Sequence, residues 1–206
     1  MRLLPALVLL VALPVAAQPA FSVRAGVSAA TLTPQMFVEG VSRGAPAASL
    51  FATVPVRGLL SLRTEVFYSG EGVGFSPHSA DIGDRVLQID GGAIRTEYVG
   101  VGAFASVEAP VQGALLGAYA GPAVSFKVRE RNLTRTEGRT FSNPSDLFYP
   151  VQATAVAGLT VGRGPLGLDL RYALSVHDVR DPMAIRRTRT VRSSVATAAL
   201  VYRLAR

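Results

Sequence analysis

Ser175 and His177 have the spacing in this sequence that comes closest to hydrolytic chemistry. A serine beside a histidine, with a carboxylate such as Asp178 to orient the imidazole, is the arrangement that makes a serine nucleophilic. Residues two apart on a strand share a face, and the alternation described below turns this face inward. The order, Ser before His, is also the reverse of that in membrane lipid hydrolases. We therefore interpret the pair as polar lining and predict that the protein is not an enzyme.

Metal and cofactor chemistry have few possible ligands. The chain contains no Cys and only two histidines, His78 and His177, so a zinc site would need both of them and a carboxylate such as Asp81 or Asp178. The two histidines lie in different predicted loops. We predict no catalytic residue, no metal site and no cofactor.

Arginine is concentrated in two stretches that read as loops. These arginines are Arg129, Arg131, Arg135 and Arg139 in one stretch and Arg186, Arg187 and Arg189 in the other. Guanidinium groups form paired hydrogen bonds with phosphate, so both stretches are candidate contacts for anionic lipid. Solvated loop charge is an equally weighted alternative.

The N-terminus predicts export. Arg2 precedes an apolar run from Leu3 to Val15, and Val15 and Ala17 suit the −3 and −1 positions of signal peptidase. A membrane-anchoring helix is the alternative, but the run is too short to span the hydrocarbon and contains two prolines. We predict a signal peptide at residues 1–17 and one domain at 18–206. The formal net charge of +7, which falls by one with Arg2, then favours an anionic membrane surface over nucleic acid.

The remaining chain alternates apolar and polar residues with a period of two. Eight such segments occur, each of about 10–13 residues, the length of a tilted strand that crosses a bilayer. They lie near residues 21–29, 50–56, 60–68, 99–107, 114–126, 151–159, 166–176 and 190–204. The last is apolar on both faces, so its register is ambiguous. The pattern predicts an all-β fold, an eight-stranded antiparallel up-and-down transmembrane β-barrel.

The predicted connections alternate in length, as those of bacterial outer-membrane barrels do. Short links lie at residues 57–58, 108–113 and 162–165, and long ones at about 33–46, 70–93, 127–148 and 178–189. This predicts that both termini lie on the periplasmic side. Aromatic residues on the apolar face fall near the strand ends, where interfacial girdles form. They are Phe21, Tyr68, Phe126, Tyr149 and Tyr202.

Six charged residues fall on predicted inward positions of the strands. They are Arg24, Arg63, Glu65, Glu97, Asp169 and Arg171. An Arg facing lipid at mid-depth costs about 2–4 kcal/mol, so these residues must face the lumen. An eight-stranded interior is narrow enough to be filled by side chains, which predicts a buried salt-bridge network. A narrow ion-conducting pore is the alternative.

Four short motifs resemble those of the PorT-like small outer-membrane β-barrel family found in Bacteroidota. They are residues 24–32, 62–70, 119–122 and 167–172, which look like the first, third, fifth and seventh strands of that family. The resemblance implies an outer-membrane barrel without a catalytic motif. The chain departs from many such barrels by ending in Arg206 rather than an aromatic residue.

These observations lead to one functional hypothesis and three alternatives. We expect a non-enzymatic, monomeric barrel of the bacterial outer membrane, structural or partner-binding. Its expected partners are outer-membrane lipid and, through the long loops, lipopolysaccharide or protein, and no nucleic acid. A small porin-like channel is the main alternative, and a lipid-modifying enzyme is a lesser one. A soluble lipocalin-type barrel would need an apolar interior, whereas this pattern predicts a polar lumen.

Overall fold

The computed structural model describes residues 18–33, 41–75, 77–82, 85–136, 139–144, 148–177, 179 and 191–204. Within these ranges no helix is long and apolar enough to cross a membrane. Eleven β-strands account for most of the described residues. They are β1 (Ala20–Thr33), β2 (Val41–Arg57), β3 (Leu60–Phe75), β4 (His78–Ile82), β5 (Arg85–Ile89), β6 (Gly91–Val111), β7 (Ala114–Thr136), β8 (Arg139–Pro144), β9 (Val151–Arg163), β10 (Leu166–Ser175) and β11 (Arg192–Arg203).

Eight of these strands close into a ring. The order is β6-β3-β2-β1-β11-β10-β9-β7, and a further pairing of β6 with β7 completes the circle. All the pairs are antiparallel, which confirms the predicted eight-stranded up-and-down barrel. The short strand β8 extends the sheet from the far end of β7, and β4 and β5 form a separate hairpin.

Two-residue turns join the strands at one end of the barrel. They occupy residues 58–59, 112–113 and 164–165, and Gly58, Gly113 and Gly164 adopt positive φ angles of 57°, 79° and 61°. Gln112 is also at positive φ, 48°, so both residues of its turn match the mirror-image geometry that suits a twisted hairpin. Hydrogen bonds from Arg203 N to the Pro165 oxygen and from Leu204 N to the Phe21 oxygen hold the start of β1 and the end of β11 at this side.

The strands extend further at the opposite end than the sequence pattern predicts. Backbone pairing continues from β3 to β6 as far as Phe75 and Gly92, and from β7 to β8 as far as Thr136 and Arg139. The predicted loops at 33–46, 70–93 and 127–148 are therefore partly strand. The apolar alternation fades there because the outward positions past the apolar band carry charges such as Arg95 and Arg131, while apolar residues such as Val73 and Ile94 face the lumen. The predicted loop 178–189 lies outside the described residues except for Val179.

The two faces of the ring differ as expected. Large apolar side chains cover the outside, with Leu200 68% exposed, while the inside holds buried small, polar and charged residues. The last strand, ambiguous from the sequence, has Val195, Ala199 and Val201 buried inside. Glycines make room for rings in the lumen: a Cβ at Gly158 would lie 2.3 Å from Tyr119 Cζ, and one at Gly102 would lie 2.3 Å from Phe104 Cζ.

Candidate functional site

Five charged side chains from three strands meet in the middle of the lumen. Arg24 comes from β1, Arg63 and Glu65 from β3, and Asp169 and Arg171 from β10. Each occupies an inward position of its strand, since side chains two apart share a face. All five are buried, between 0% and 8% exposed. The curvature of the closed sheet brings Arg24 into contact with Asp169, which is 145 positions away in the chain.

Glu65 accepts hydrogen bonds from all three guanidinium groups. Its Oε1 lies 2.7 Å from Arg24 Nη2, and its Oε2 lies 2.6 Å from Arg171 Nη2 and 3.1 Å from Arg63 Nη2. A carboxylate that accepts several charge-assisted hydrogen bonds in a buried setting has little freedom to move. Glu65 is therefore the centre of the network.

Asp169 completes the network from the opposite wall. Arg24 Nη1 donates to its Oδ1 at 2.9 Å, and Arg63 Nη1 approaches its Oδ2 at 3.4 Å. Tyr119 donates its hydroxyl to Oδ1 at 3.0 Å and accepts from Arg171 Nε at 3.3 Å. Tyr119 thus links an acid to a base. Tyr119 was not among the residues predicted to form the network, although its position between the outward residues Ala118 and Ala120 was the available indication.

Aromatic rings enclose the arginines. The Arg63 guanidinium carbon lies 3.6 Å from the centroid of the Phe51 ring and 4.2 Å from that of Tyr119. Arg171 lies 5.2 Å from the ring of Phe104. A cation over an aromatic face is attracted to it, most strongly away from water. The rings and the ion pairs together fill the cross-section of the barrel at this level.

Glu97 does not join the network, and the prediction that it faces the lumen is wrong. Its neighbours Thr96 and Tyr98 are buried inside, whereas Glu97 is half-buried on the outer face and interacts there with Tyr68. Glu97 is an even number of residues from the outward-facing Val99, so strand alternation turns it outward as well.

A second polar layer and an apolar layer lie above the network, toward the loop end. Gln152 Nε2 donates to the Tyr98 hydroxyl at 3.3 Å, and Ser193 Oγ donates to Glu71 Oε2 at 3.2 Å. Beyond them lies a cluster that we call the apolar cap. It consists of Ala30, Leu32, Val73, Ile94, Phe148, Val179, Val191 and Val195. This cap was not anticipated from the sequence, because its members are far apart in the chain.

Phe148 in the cap is held by an ion pair. Lys127 Nζ lies 3.0 Å from Glu130 Oε2 and donates to the Phe148 carbonyl oxygen at 2.6 Å. Glu130 Oε2 in turn accepts from the Phe148 amide at 3.3 Å. Both backbone groups of Phe148 are therefore fixed by charged side chains, which keeps its ring over the loop end of the lumen.

Ser175 and His177, whose spacing resembles that of a hydrolase site, lie at the end of β10 and just past it. Ser175 is 1% exposed, and its Oγ accepts a hydrogen bond from Ser193 N at 2.8 Å. His177 lies past the end of β10, where Nε2 is 3.3 Å from the Val151 carbonyl oxygen and the ring is 6.2 Å from that of Tyr149. The serine oxygen thus bonds to backbone. Asp178 lies outside the described residues, and His78 lies apart on β4.

The exposed arginines line up across the outer surface. Of those named from the sequence, Arg129, Arg131 and Arg135 are exposed on β7 and Arg139 is exposed on β8. Arg186, Arg187 and Arg189 lie outside the described residues. The strand register adds two that the sequence analysis missed, because Arg43 pairs with Gly72, Gly72 with Arg95, and Arg95 with Arg131. We call Arg43, Arg95, Arg129, Arg131 and Arg135 the outer arginine row.

The comparison with protein families agrees with this architecture. Residues 16–181 match the family described as outer membrane protein beta-barrel domain. The chain belongs to this family. The matched range spans every barrel strand except β11, including all five members of the charged network. Family membership, together with the closed ring of eight strands, identifies the protein as an outer-membrane β-barrel.

Two solved structures align with this family member along most of its length. Ail, the attachment invasion locus protein of Yersinia pestis, is 12% identical, with 90% of this chain and 97% of Ail covered and a TM-score of 0.44. Neisserial surface protein A is 14% identical, with 89% and 96% covered and a TM-score of 0.40. None of the curated proteins matches the sequence.

Proposed function

We propose that the protein is a non-enzymatic, monomeric outer-membrane barrel, structural or partner-binding, whose lumen is filled by its own side chains. The observation that carries this proposal is the network of Arg24, Arg63, Glu65, Asp169 and Arg171, in which both carboxylates are fully engaged. Opening a path would separate these charges in a setting of low dielectric constant, which is costly. The apolar cap fills a second level of the same lumen.

Conductance in planar lipid bilayers tests the filled lumen against the porin-like alternative. Purified wild-type protein is expected to give no stable channel steps. The variant Glu65→Ala, which removes the central acceptor, serves as the comparison that could show current. Stable, uniform openings by the wild-type protein would contradict the filled lumen and support the channel.

We further propose export through a signal peptide at residues 1–17. Strand β1 begins at Ala20, three residues after the proposed cleavage site, which leaves a short lead before the barrel. Mass spectrometry of protein extracted from outer membranes is expected to give the mass of residues 18–206. A mass that includes residues 1–17 would contradict cleavage. Within the family, we propose the PorT-like group on the motifs at residues 24–32, 62–70, 119–122 and 167–172.

The outer arginine row favours a partner-binding role, with phosphorylated outer-leaflet lipid such as lipopolysaccharide as the partner. Arg95 and Arg131 lie directly opposite each other on neighbouring strands, both exposed. Like charges in this position repel, so a bridging anion would stabilise the pair. The row lies past the level at which Tyr68, Val99 and Phe126 pair, where the outward apolar band gives way to charge. Guanidinium groups suit phosphate in that setting.

Binding to vesicles tests this role. The double variant Arg95→Gln, Arg131→Gln is expected to bind lipopolysaccharide-containing vesicles about tenfold more weakly than the wild-type protein. Each substitution removes about one charge-assisted hydrogen bond to the lipid. The control is Arg163→Gln, an exposed arginine at the opposite end of the barrel. Equal affinity of the double variant and the control would contradict the proposal.

A further inference from the structure

The buried network carries more positive than negative groups. Three guanidinium groups, of Arg24, Arg63 and Arg171, surround the two carboxylates of Glu65 and Asp169. All five side chains are buried. An uncompensated charge that is removed from water is strongly unfavourable. Among the side chains of this network, one positive charge therefore has no negative partner of its own.

The excess charge is concentrated on Arg63. Its ion-pair contacts, 3.1 Å to Glu65 and 3.4 Å to Asp169, are the longest in the network. Arg24 and Arg171 approach the same carboxylates at 2.6–2.9 Å. The carboxylate oxygens are thus committed mainly to the other two arginines.

The remaining surroundings of Arg63 do not supply a negative charge. The Nε atom of Arg63, like that of Arg24, has no hydrogen-bond partner in the described part of the chain. The rings of Phe51 and Tyr119 lie 3.6 Å and 4.2 Å from the guanidinium carbon. Such rings attract a cation through their quadrupole but carry no net charge. A counter-ion would supply the negative charge, and the acceptor for Nε, that the rings do not provide.

A cavity of about 420 Å³ lies on the periplasmic side of Arg63, which forms part of its wall. Four hydroxyl-bearing side chains also line it, from β1, β2, β3 and β9. They are Ser22, Thr53, Ser61 and Thr160. Hydroxyl donors around a cation are a suitable lining for an anion, since they hydrogen-bond its oxygens without competing for charge. The volume exceeds that of a phosphate or carboxylate group.

Two further charged residues line the cavity nearer the turns. Glu108 and Arg203 are both half-buried, and they have opposite charges. Glu108 is four residues from Phe104, the cross-strand partner of Arg63, or about 13 Å along the strand. The charges of Glu108 and Arg203 sum to zero, so the lining of the cavity as a whole keeps the positive charge of Arg63.

We propose that this cavity binds a compact oxyanion, a phosphate or carboxylate group that enters from the periplasm. Arg63 supplies the counter-charge, and the hydroxyl groups of Ser22, Ser61 and Thr160 supply hydrogen bonds. The bound anion neutralises the excess positive charge of the buried network from the periplasmic side. This site is distinct from the outer arginine row, which lies at the other end of the barrel and faces outward.

The variant Thr53→Asp tests the proposal by building the missing charge into the wall. Thr53 pairs directly with Arg63 across β2 and β3 and both residues line the cavity, so a carboxylate at residue 53 adds a negative charge on the same face as Arg63. The matched control is Thr53→Asn, because an Asn side chain has nearly the same shape as Asp but carries no charge. The readout is the temperature at which the folded band converts to the unfolded band in unboiled electrophoresis. The probes are sodium phosphate and sodium acetate, with sodium chloride at equal ionic strength as reference.

Phosphate or acetate is expected to raise the conversion temperature of the wild-type protein and of Thr53→Asn by a few degrees, and the increase should saturate with concentration. The reason is that a ligand that binds only the folded state stabilises it. Thr53→Asp is expected to have the higher conversion temperature even without added phosphate or acetate, and these anions are expected to raise it no further. Equal responses by Thr53→Asp and Thr53→Asn would overturn the proposal, as would an equal gain from chloride, which would show screening alone.

Two further measurements keep the test decisive if Thr53→Asp does not fold. Ser61→Asp places the carboxylate two residues before Arg63 on the same face of β3, and it is expected to remove the response in the same way. Equilibrium dialysis of radiolabelled phosphate against the wild-type protein is expected to show saturable binding, at least tenfold weaker in Ser61→Asp. An absence of saturable binding to the wild-type protein overturns the proposal.

Discussion

The inner and outer faces of this barrel both carry arginines, but the two sets lie in opposite physical settings. Arg24, Arg63 and Arg171 are buried, ion-paired and enclosed by aromatic rings. Arg95 and Arg131 are exposed and lie directly opposite each other, while Glu97 on the same face pairs with Arg129. Removing the partner of a buried charge strongly destabilises the folded protein, whereas exposed charges contribute little to stability. The inner set therefore maintains the fold, and the outer set is available for binding.

The largest effect is expected where the inner set loses its common partner. Glu65→Ala leaves three buried guanidinium groups around Asp169 alone, and it should cost about 3–5 kcal/mol of unfolding free energy. Urea unfolding in lipid vesicles, followed by electrophoretic mobility, measures this loss. A cost below about 1 kcal/mol would mean that the inner charges resemble the exposed ones, and the contrast between the faces would fail.

A slightly smaller effect is expected when an arginine is placed on the wrong face. Leu200 is the most exposed of the large apolar side chains described, and it pairs with Ala25 and Leu168 within the apolar band. Leu200→Arg should cost about 2–4 kcal/mol, the penalty for a cation in the hydrocarbon. The control is Thr31→Arg, an exposed site near the loop end of β1, which should be nearly neutral. Equal costs for both in the same unfolding assay would show that the outer face has no lipid-facing band.

A more limited change sharpens the role of the hydroxyl group within the inner set. Tyr119→Phe removes the hydrogen bond to Asp169 and the acceptor for Arg171 Nε while keeping the ring over Arg63. We expect a loss of about 1–3 kcal/mol, the cost of leaving buried polar groups unpaired. Tyr172→Phe on the outer surface is the matched control. If both variants unfold at the same denaturant concentration, the Tyr119 hydroxyl is not part of the network.

The smallest effect on stability is expected in the outer set. Arg95→Gln removes an exposed charge from a like-charged pair, so its unfolding free energy should stay within about 0.5 kcal/mol of wild type. Affinity for lipopolysaccharide vesicles, measured on the same sample, should fall. A large loss of stability would show that Arg95 supports the fold and would remove the separation between the two sets.

Strand alternation made most of the architecture predictable. Arg63 with Glu65 and Asp169 with Arg171 could be assigned to the lumen because each pair sits two apart between outward-facing apolar residues. The tight turns were also readable, because Gly58, Gly113 and Gly164 supply the positive φ angles that hairpins require.

What could not be read depended on register between strands. The apolar cap joins residues from Ala30 to Val195, and no local pattern reveals that these positions stack at one level of the lumen. The same holds for Arg43 and Arg95, which align with Arg131 only through the pairing of β2, β3, β6 and β7. Periodicity sets the face of a side chain, and register sets its height.

The Arg24–Asp169 ion pair spans the junction where the first strand meets the last two. Arg24 lies on β1 and Asp169 on β10, with β11 between them, so their contact exists only once β1 and β11 have paired. Until then, Arg24 can pair with Glu65 on β3 but not with Asp169. The joining of the two halves of the charged network and the closure of the ring are consequently a single event, and the barrel gains this ion pair only at the moment when it ceases to have an open edge.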